Sequence, residues 1–164
     1  MADQYASLKP GNVVSTLRSL ERRLAEALAQ VPDKPPESFA YIVGSGGESV
    51  ASLLSDAGRT LSLLDRALEQ TFISEPVVHE GVVDATARVW EGDALALAEG
   101  HELFIDTANT MADRADAASG DDWNRTATVT GGTSVTAMEI GQEAARTAIT
   151  ALNTIRNLVP EVAQ

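Results

Sequence analysis

Two histidines, 24 carboxylates and no cysteine are what this 164-residue chain offers for chemistry. Without cysteine there is no disulfide, zinc–thiolate site, iron–sulfur cluster or thiol nucleophile. No serine–histidine–acid arrangement follows from spacing alone. Di-iron carboxylate bundles place Glu-x-x-His on two helices. Here Ala98 stands three residues before His101 and Pro76 three before His79. No cofactor is therefore read from these residues. His101 shares a helical face with Trp90, Leu97, Phe104, Ala108, Met111 and Ala115, which marks it as an inner-face ionisable group. It is either a core histidine satisfied by one hydrogen bond or an acid, base or metal ligand in a bundle cavity. Asp56 and Glu143, on two other helices, are its candidate neighbours. Each lies towards the flank of its apolar stripe, where a solvated position is the alternative.

The run Phe39–Val43 followed by Gly44-Ser45-Gly46-Gly47 has the outline of a strand and a phosphate-cradling turn. It lacks the lysine of the nucleotide loop and the third glycine of the dinucleotide fingerprint. Glu48 also places a negative charge where a phosphate would sit. A nucleotide site is set aside.

The net charge is −12, the wrong sign for duplex nucleic acid or an anionic membrane, and seven aromatic residues are too few for a base-stacking platform. Met1 to Pro10 lacks a basic stretch followed by an apolar core, and no apolar run is long enough to span a bilayer. The expectation is a cytoplasmic protein with no nucleic-acid or membrane partner. The acid is unevenly placed. Between Glu75 and Asp122, twelve carboxylates accompany only Arg88 and Arg114. This is either a solvated face or a docking face for a basic partner.

Four helices must position these groups. The first is expected from Asn12, as N-cap, to Gln30, ended by Pro32, Pro35 and Pro36. The second is expected from Ser49 to Gln70, with Val50, Leu53, Leu54, Ala57, Leu61, Leu64 and Leu68 on its inner stripe. A long connection follows. The third begins between Asp84 and Trp90 and ends near Ala118, with Gly120 as its cap; Gly92, Ala96 and Gly100 form a small-residue line along it, matched by Gly141, Ala144, Ala145 and Ala148 on the fourth. Thr126–Val135, alternating around Gly131-Gly132, predicts a small hairpin with a mirror-type turn. The fourth helix starts at a Thr136/Glu139 capping box, with Val135 and Ile140 as a hydrophobic staple, and stops at Pro160.

Glu48-Ser49-Val50-Ala51-Ser52-Leu53-Leu54-Ser55-Asp56 is similar to a pattern Trp-Ser-hydrophobic-x-x-Leu-Leu-x-His at the start of a second helix. Asp122-Trp123-Asn124-Arg125, before the last helix, resembles an Asp-Trp-x-Arg segment. Both patterns belong to the DinB-like superfamily, which includes the N-terminal domain of mycothiol-dependent maleylpyruvate isomerases. The resemblance covers most of the chain. It implies a metal held by one histidine of the second helix and a His-x-x-x-His pair of the last. Carried over, those positions are Asp56, Thr147 and Ala151, none of them histidine, and the family tryptophan is Glu48. The resemblance thus implies the scaffold and argues against its usual metal.

The expectation is a single all-α domain over residues 1–164: a four-helix bundle with a long connection between its second and third helices. Its cavity candidates are Asp56, His101, Glu143, Thr147 and Ala151. The first functional reading is a small-ligand-binding or protein-interaction module. The alternative is a metal- or mycothiol-dependent transferase or isomerase using substitute ligands. A homodimer is expected, with Val14 and Ala25 of the first helix as apolar positions available for pairing.

Overall fold

The computed structural model describes residues 3–164. The first bundle helix is two segments, α1 (Pro10–Arg18) and α2 (Leu20–Leu28). They part at Ser19, whose N–H is shared by the carbonyls of Ser15 and Thr16 and whose hydroxyl donates to Thr16 at 2.7 Å. Such back-bonding competes with the regular ladder and bends a helix. The start also differs from the expected cap at Asn12. Pro10 opens α1 as its first residue, where a missing N–H costs nothing. Asn12 instead reaches back from the third position to accept the Lys9 N–H at 3.2 Å. Val14, offered as a free apolar position, is buried in the bundle, while Ala25 is exposed.

The second bundle helix is α3 (Val50–Ile73), capped as expected by Ser49. Ser49 Oγ accepts the Ser52 N–H at 3.1 Å and Ser52 Oγ accepts the Ser49 N–H at 2.9 Å. Phe39–Val43 forms turns rather than a strand, with Phe39 and Ala40 buried and Tyr41, Ile42 and Val43 exposed.

The third bundle helix, α4 (Leu97–Ala117), starts well after the expected position; it ends where expected, with Ala118 rather than Gly120 as its cap. The residues before it are held otherwise. Ala85–Ala87 is a 3-10 turn whose start is capped by Asp84, and Arg88 Nε donates to the Gly81 carbonyl at 2.6 Å. Gly92 takes a φ of 82°, which no continuous right-handed helix accepts. The open N–H groups at the helix entry are met from elsewhere. Leu95 N–H donates to Ser55 Oγ at 2.9 Å, and Leu97 N–H to the Tyr41 hydroxyl at 2.8 Å. Trp90 and Gly92 therefore lie outside the helix on which the sequence pattern set them.

The long connection contributes a short strand, β1 (Val77–Val78), which the sequence pattern did not separate from loop. It pairs in parallel with β2 (Thr126–Val129), Val78 opposite Val129. β2 pairs antiparallel with β3 (Ser134–Thr136), Ala127 opposite Val135, so the expected hairpin is present as the centre and edge of a three-stranded sheet. Its loop has three residues, Thr130–Gly132, closed by Val129 N–H to the Thr133 carbonyl at 2.7 Å, one residue longer than the expected mirror-type turn.

The last helix, α5 (Ala137–Val162), begins at the expected capping box: Thr136 N–H to Glu139 Oε2 at 2.7 Å, and Glu139 N–H to Thr136 Oγ1 at 3.1 Å. It does not stop at Pro160 but continues to Val162. A proline inside a helix leaves the carbonyl four residues earlier without its partner. That carbonyl, Arg156, accepts from Gln30 Nε2 at 3.0 Å instead. Around the bundle the order is α1 and α2, α4, α3, α5, with α3 packed on both α4 and α5. Leu17, Leu24, Leu61, Phe104, Met111 and Ile140 are among the fully buried side chains of one connected apolar core.

α3 and α4 cross at glycines. A Cβ on Gly100 would stand 3.2 Å from the Ser55 nitrogen, and one on Gly58 3.1 Å from the Phe104 nitrogen. The small-residue line of the third helix thus faces α3, not the alanines of α5. Gly141 packs under the Trp123 ring instead.

Candidate functional site

Between α3 and α5 lies a groove of about 470 Å³, within the usual range for small-molecule sites. α3 supplies Leu53, Asp56, Ala57 and Thr60; α5 supplies Glu143, Arg146, Thr147, Thr150, Ala151 and Thr154. Glu48 stands at the mouth, and Ala85 and Arg88 of the long connection close one end. Asp56, Glu143, Thr147 and Ala151, four of the five cavity candidates, therefore share this groove.

The end wall is an ion-pair network. Arg88 Nη2 donates to Glu143 Oε1 at 2.7 Å, with the two side chains only 10% and 14% exposed. Arg146 Nη1 donates to the other oxygen, Glu143 Oε2. Arg146 also pairs with Asp3 through Nη2 and lies over the Tyr5 ring, 5.5 Å from its centre. Both oxygens of Glu143 are thus engaged. A carboxylate this dry needs such partners, since an unpaired buried charge is strongly unfavourable.

Asp56 differs. Among the described residues its carboxylate makes no hydrogen bond and no ion pair. Partial burial pushes it above the usual carboxylate range, and the nearby Arg59 charge acts the other way. Arg59 Nη2 donates to the Asp93 carbonyl at 2.9 Å. Across the groove, the Thr147 hydroxyl is buried without a hydrogen-bond partner.

His101 does not join this group. With Gly100 packed against Ser55, Gly100, Phe104 and Ile105 face inward and His101 sits half-buried at the edge of that face. It lines a separate apolar cavity with Leu28, Pro36, Tyr41 and Leu97. The inner-face placement beside Asp56 and Glu143 is therefore corrected. His79 is structural: its Nδ1 accepts the Gly81 N–H at 2.9 Å.

The Asp122–Arg125 segment also holds structure together. Asp122 accepts from the Ser119 N–H at 2.8 Å and from its hydroxyl at 2.9 Å, which draws its carboxyl below the usual range. Trp123 is buried edge-on to Phe72, ring centres 5.2 Å apart. Arg125 Nε donates at 3.0 Å to the Thr71 carbonyl, which the end of α3 leaves open. Arg88, Arg146 and the groove threonines other than Thr147 were not singled out from the sequence. The one available signal was Arg88 itself, a cation isolated among acids.

No family model matches the chain, and no curated protein matches it. Among solved structures the chain is similar to YfiT from Bacillus subtilis, with a TM-score of 0.67 over 94% of this chain and 91% of that one. That protein is described as a probable metal-dependent hydrolase with an unusual four-helix bundle topology. At 10% identity the likeness shows the fold. The chain has a four-helix bundle fold similar to that of YfiT.

The metal that such a bundle implies can be tested against the donors present. Asp56 offers a carboxylate, Thr147 a neutral hydroxyl and Ala151 a methyl group. Zinc and nickel sites take three or more imidazole, thiolate or carboxylate donors. Among the described residues no group of three histidine, aspartate or glutamate side chains could hold an ion. The residues present do not fit the metal. Nor is any helix among the described residues long and apolar enough to cross a membrane.

Proposed function

We propose that this chain is a small-ligand-binding module: a DinB-like bundle that keeps the groove of the fold and carries no metal in it. One observation carries the reading. Asp56, Thr147 and Ala151, the three positions matched to the family's metal histidines, line one groove of about 470 Å³ and present a single charged donor between them. The groove itself is built to last, with the Arg88–Glu143–Arg146 network as its end wall. Leu53, Ala57 and Ala151 give it an apolar floor, and threonine hydroxyls give it directional polar groups. That mixture suits a small organic molecule.

The metal- or mycothiol-dependent transferase reading has less support. It would gather Asp56, His101 and Glu143 on one ion, yet His101 lines another cavity and Glu143 has both oxygens engaged. Metal-dependent hydrolysis, as described for YfiT, meets the same shortage of donors.

Crystallographic soaking with a set of small organic fragments, in the presence of a chelator, tests the proposal. Fragments are expected in the α3–α5 groove, against Leu53, Ala57 and Ala151. A groove left empty while fragments settle elsewhere would overturn it.

A further inference from the structure

We propose that the apolar cavity beside His101 is a second ligand site, and that it takes a small neutral molecule carrying a hydroxyl group on an apolar body. It is separate from the α3–α5 groove and does not depend on the reading of that groove.

The cavity measures about 390 Å³, within the usual range for small-molecule sites. Leu28 of α2, Pro36 and Leu97 of α4 give it apolar walls, and Tyr41 forms its outer lip. Its polar groups are few: the Tyr41 hydroxyl, the His101 imidazole and, exposed at the rim, the Glu37 carboxylate. A mostly apolar hollow with a small number of convergent polar groups is the ordinary form of a small-molecule site.

Two of those groups have bonding capacity left over. The Tyr41 oxygen accepts the Leu97 N–H at 2.8 Å, which leaves its own O–H to give. His101 is half-buried yet makes no hydrogen bond or ion pair among the described residues. Its ring nitrogens are not sealed off, so a molecule in the cavity can reach them. The two groups are also neighbours. Leu97 and His101 stand one turn apart on the same face of α4, and helical side chains lean towards the N-terminus. The imidazole therefore leans towards the hydroxyl that caps Leu97.

This pairing selects the ligand. Tyr41 has a proton to donate, and a neutral imidazole has one nitrogen that accepts. A hydroxyl does both at once: it accepts from Tyr41 and donates to His101. A carboxylate only accepts, and it would also meet the Glu37 charge. An ammonium only donates and leaves the Tyr41 O–H without an acceptor. A hydrocarbon fills the walls but answers neither group.

The test is an NMR titration of the full chain with p-cresol, toluene, benzoate and benzylammonium, at about pH 8, where an imidazole is ordinarily neutral. Amide shifts with p-cresol are expected to cluster at Leu28, Tyr41, Leu97 and His101. p-Cresol should bind about fivefold more tightly than toluene, the worth of one neutral hydrogen bond, and more tightly than either ion. His101→Phe keeps an apolar wall and should abolish that advantage. Ala98→Phe, from a position lining the cavity on the first turn of α4, should fill it and weaken p-cresol and toluene alike. Equal binding of p-cresol and toluene, tighter binding of either ion, or the full p-cresol advantage in His101→Phe would overturn the ligand class. Shifts absent from the cavity, or p-cresol binding untouched by Ala98→Phe, would overturn the site; shifts confined to Asp56, Thr147 and Ala151 would do so while favouring the α3–α5 groove.

Discussion

Leucine at position 100 is expected to unsettle the wall on which Asp56 stands. Gly100 lies in the first turn of α4 against Ser55, next to Asp56 in α3, and the α4 entry is tied to the same place by the Leu95 to Ser55 hydrogen bond. Replacing a mid-helix glycine by alanine ordinarily stabilises by about 1 kcal/mol. Here the new Cβ would meet the Ser55 nitrogen at 3.2 Å and the Leu54 carbonyl carbon at 3.5 Å. Both are backbone atoms, so neither can swing aside and the helices must part. Overpacking of this kind costs about 1–3 kcal/mol. Gly100→Ala is therefore expected to be neutral to about 2 kcal/mol destabilising, and Gly100→Leu to cost about 3 kcal/mol. Glu99→Leu, on the exposed face one residue away, should stay within about 0.5 kcal/mol. At about 2–4 °C per kcal/mol for a chain of this size, the two leucine variants should melt about 6–12 °C apart. Thermal and urea unfolding followed by circular dichroism give both numbers. Equal melting temperatures for Gly100→Leu and Glu99→Leu, or the full stabilisation in Gly100→Ala, would refute the close α3–α4 approach.

Three further outcomes are expected. The triple variant Asp56→His, Thr147→His, Ala151→His should create a three-nitrogen site, and zinc at a hundred times its dissociation constant should stabilise it by about 2.7 kcal/mol, or about 5–11 °C in a thermal scan. Gln30→Ala should cost about 1 kcal/mol in the wild type and clearly less beside Pro160→Ala, because the new alanine then supplies the N–H that the Arg156 carbonyl lacks; equal costs in this double-mutant cycle would remove the Gln30 substitution for the missing bond. Burial raises the Asp56 carboxyl, so its contribution to stability is present below its unfolded value and lost as pH rises through the folded one. Asp56→Asn should therefore be the more stable protein at neutral pH, its lead over the wild type shrinking in acid, as urea unfolding across pH would show; Arg59 opposes the effect, and Glu48, Arg88, Glu143 and Arg146 are the other charged groups at the groove.

What the sequence made readable was periodic or local. Ser49 and Thr136 announced their helices because a cap and its reciprocal partner lie three residues apart. The leucine stripe of α3 fixed which side carries Asp56, and the family likeness then set Thr147 and Ala151 opposite it. What failed depended on distant partners. The start of α4 is decided by Tyr41 and Ser55, forty or more residues upstream, so Trp90 and Gly92 looked helical by spacing while lying in a loop. His101 was misplaced by less: Phe104, Ala108, Met111 and Ala115 of its expected stripe are buried, but His101 sits at the edge of that face and lines a different cavity. Pro160 read as a stop because its compensating donor, Gln30, lies at the other end of the chain. β1 is two residues long and has no pattern of its own; it exists through pairing with β2. The Arg88–Glu143 pair joins a loop to α5 across 55 positions, and nothing local foretells it.

Metal uptake by the wild-type chain tests most directly whether the groove holds an organic ligand and no ion. Protein washed with chelator would be titrated calorimetrically with zinc and with nickel, and the bound metal counted by elemental analysis after gel filtration. The expected result is no saturable uptake and no stoichiometric metal in the recovered protein. One ion per chain, lost in Asp56→Asn, would contradict the reading and return the groove to metal chemistry.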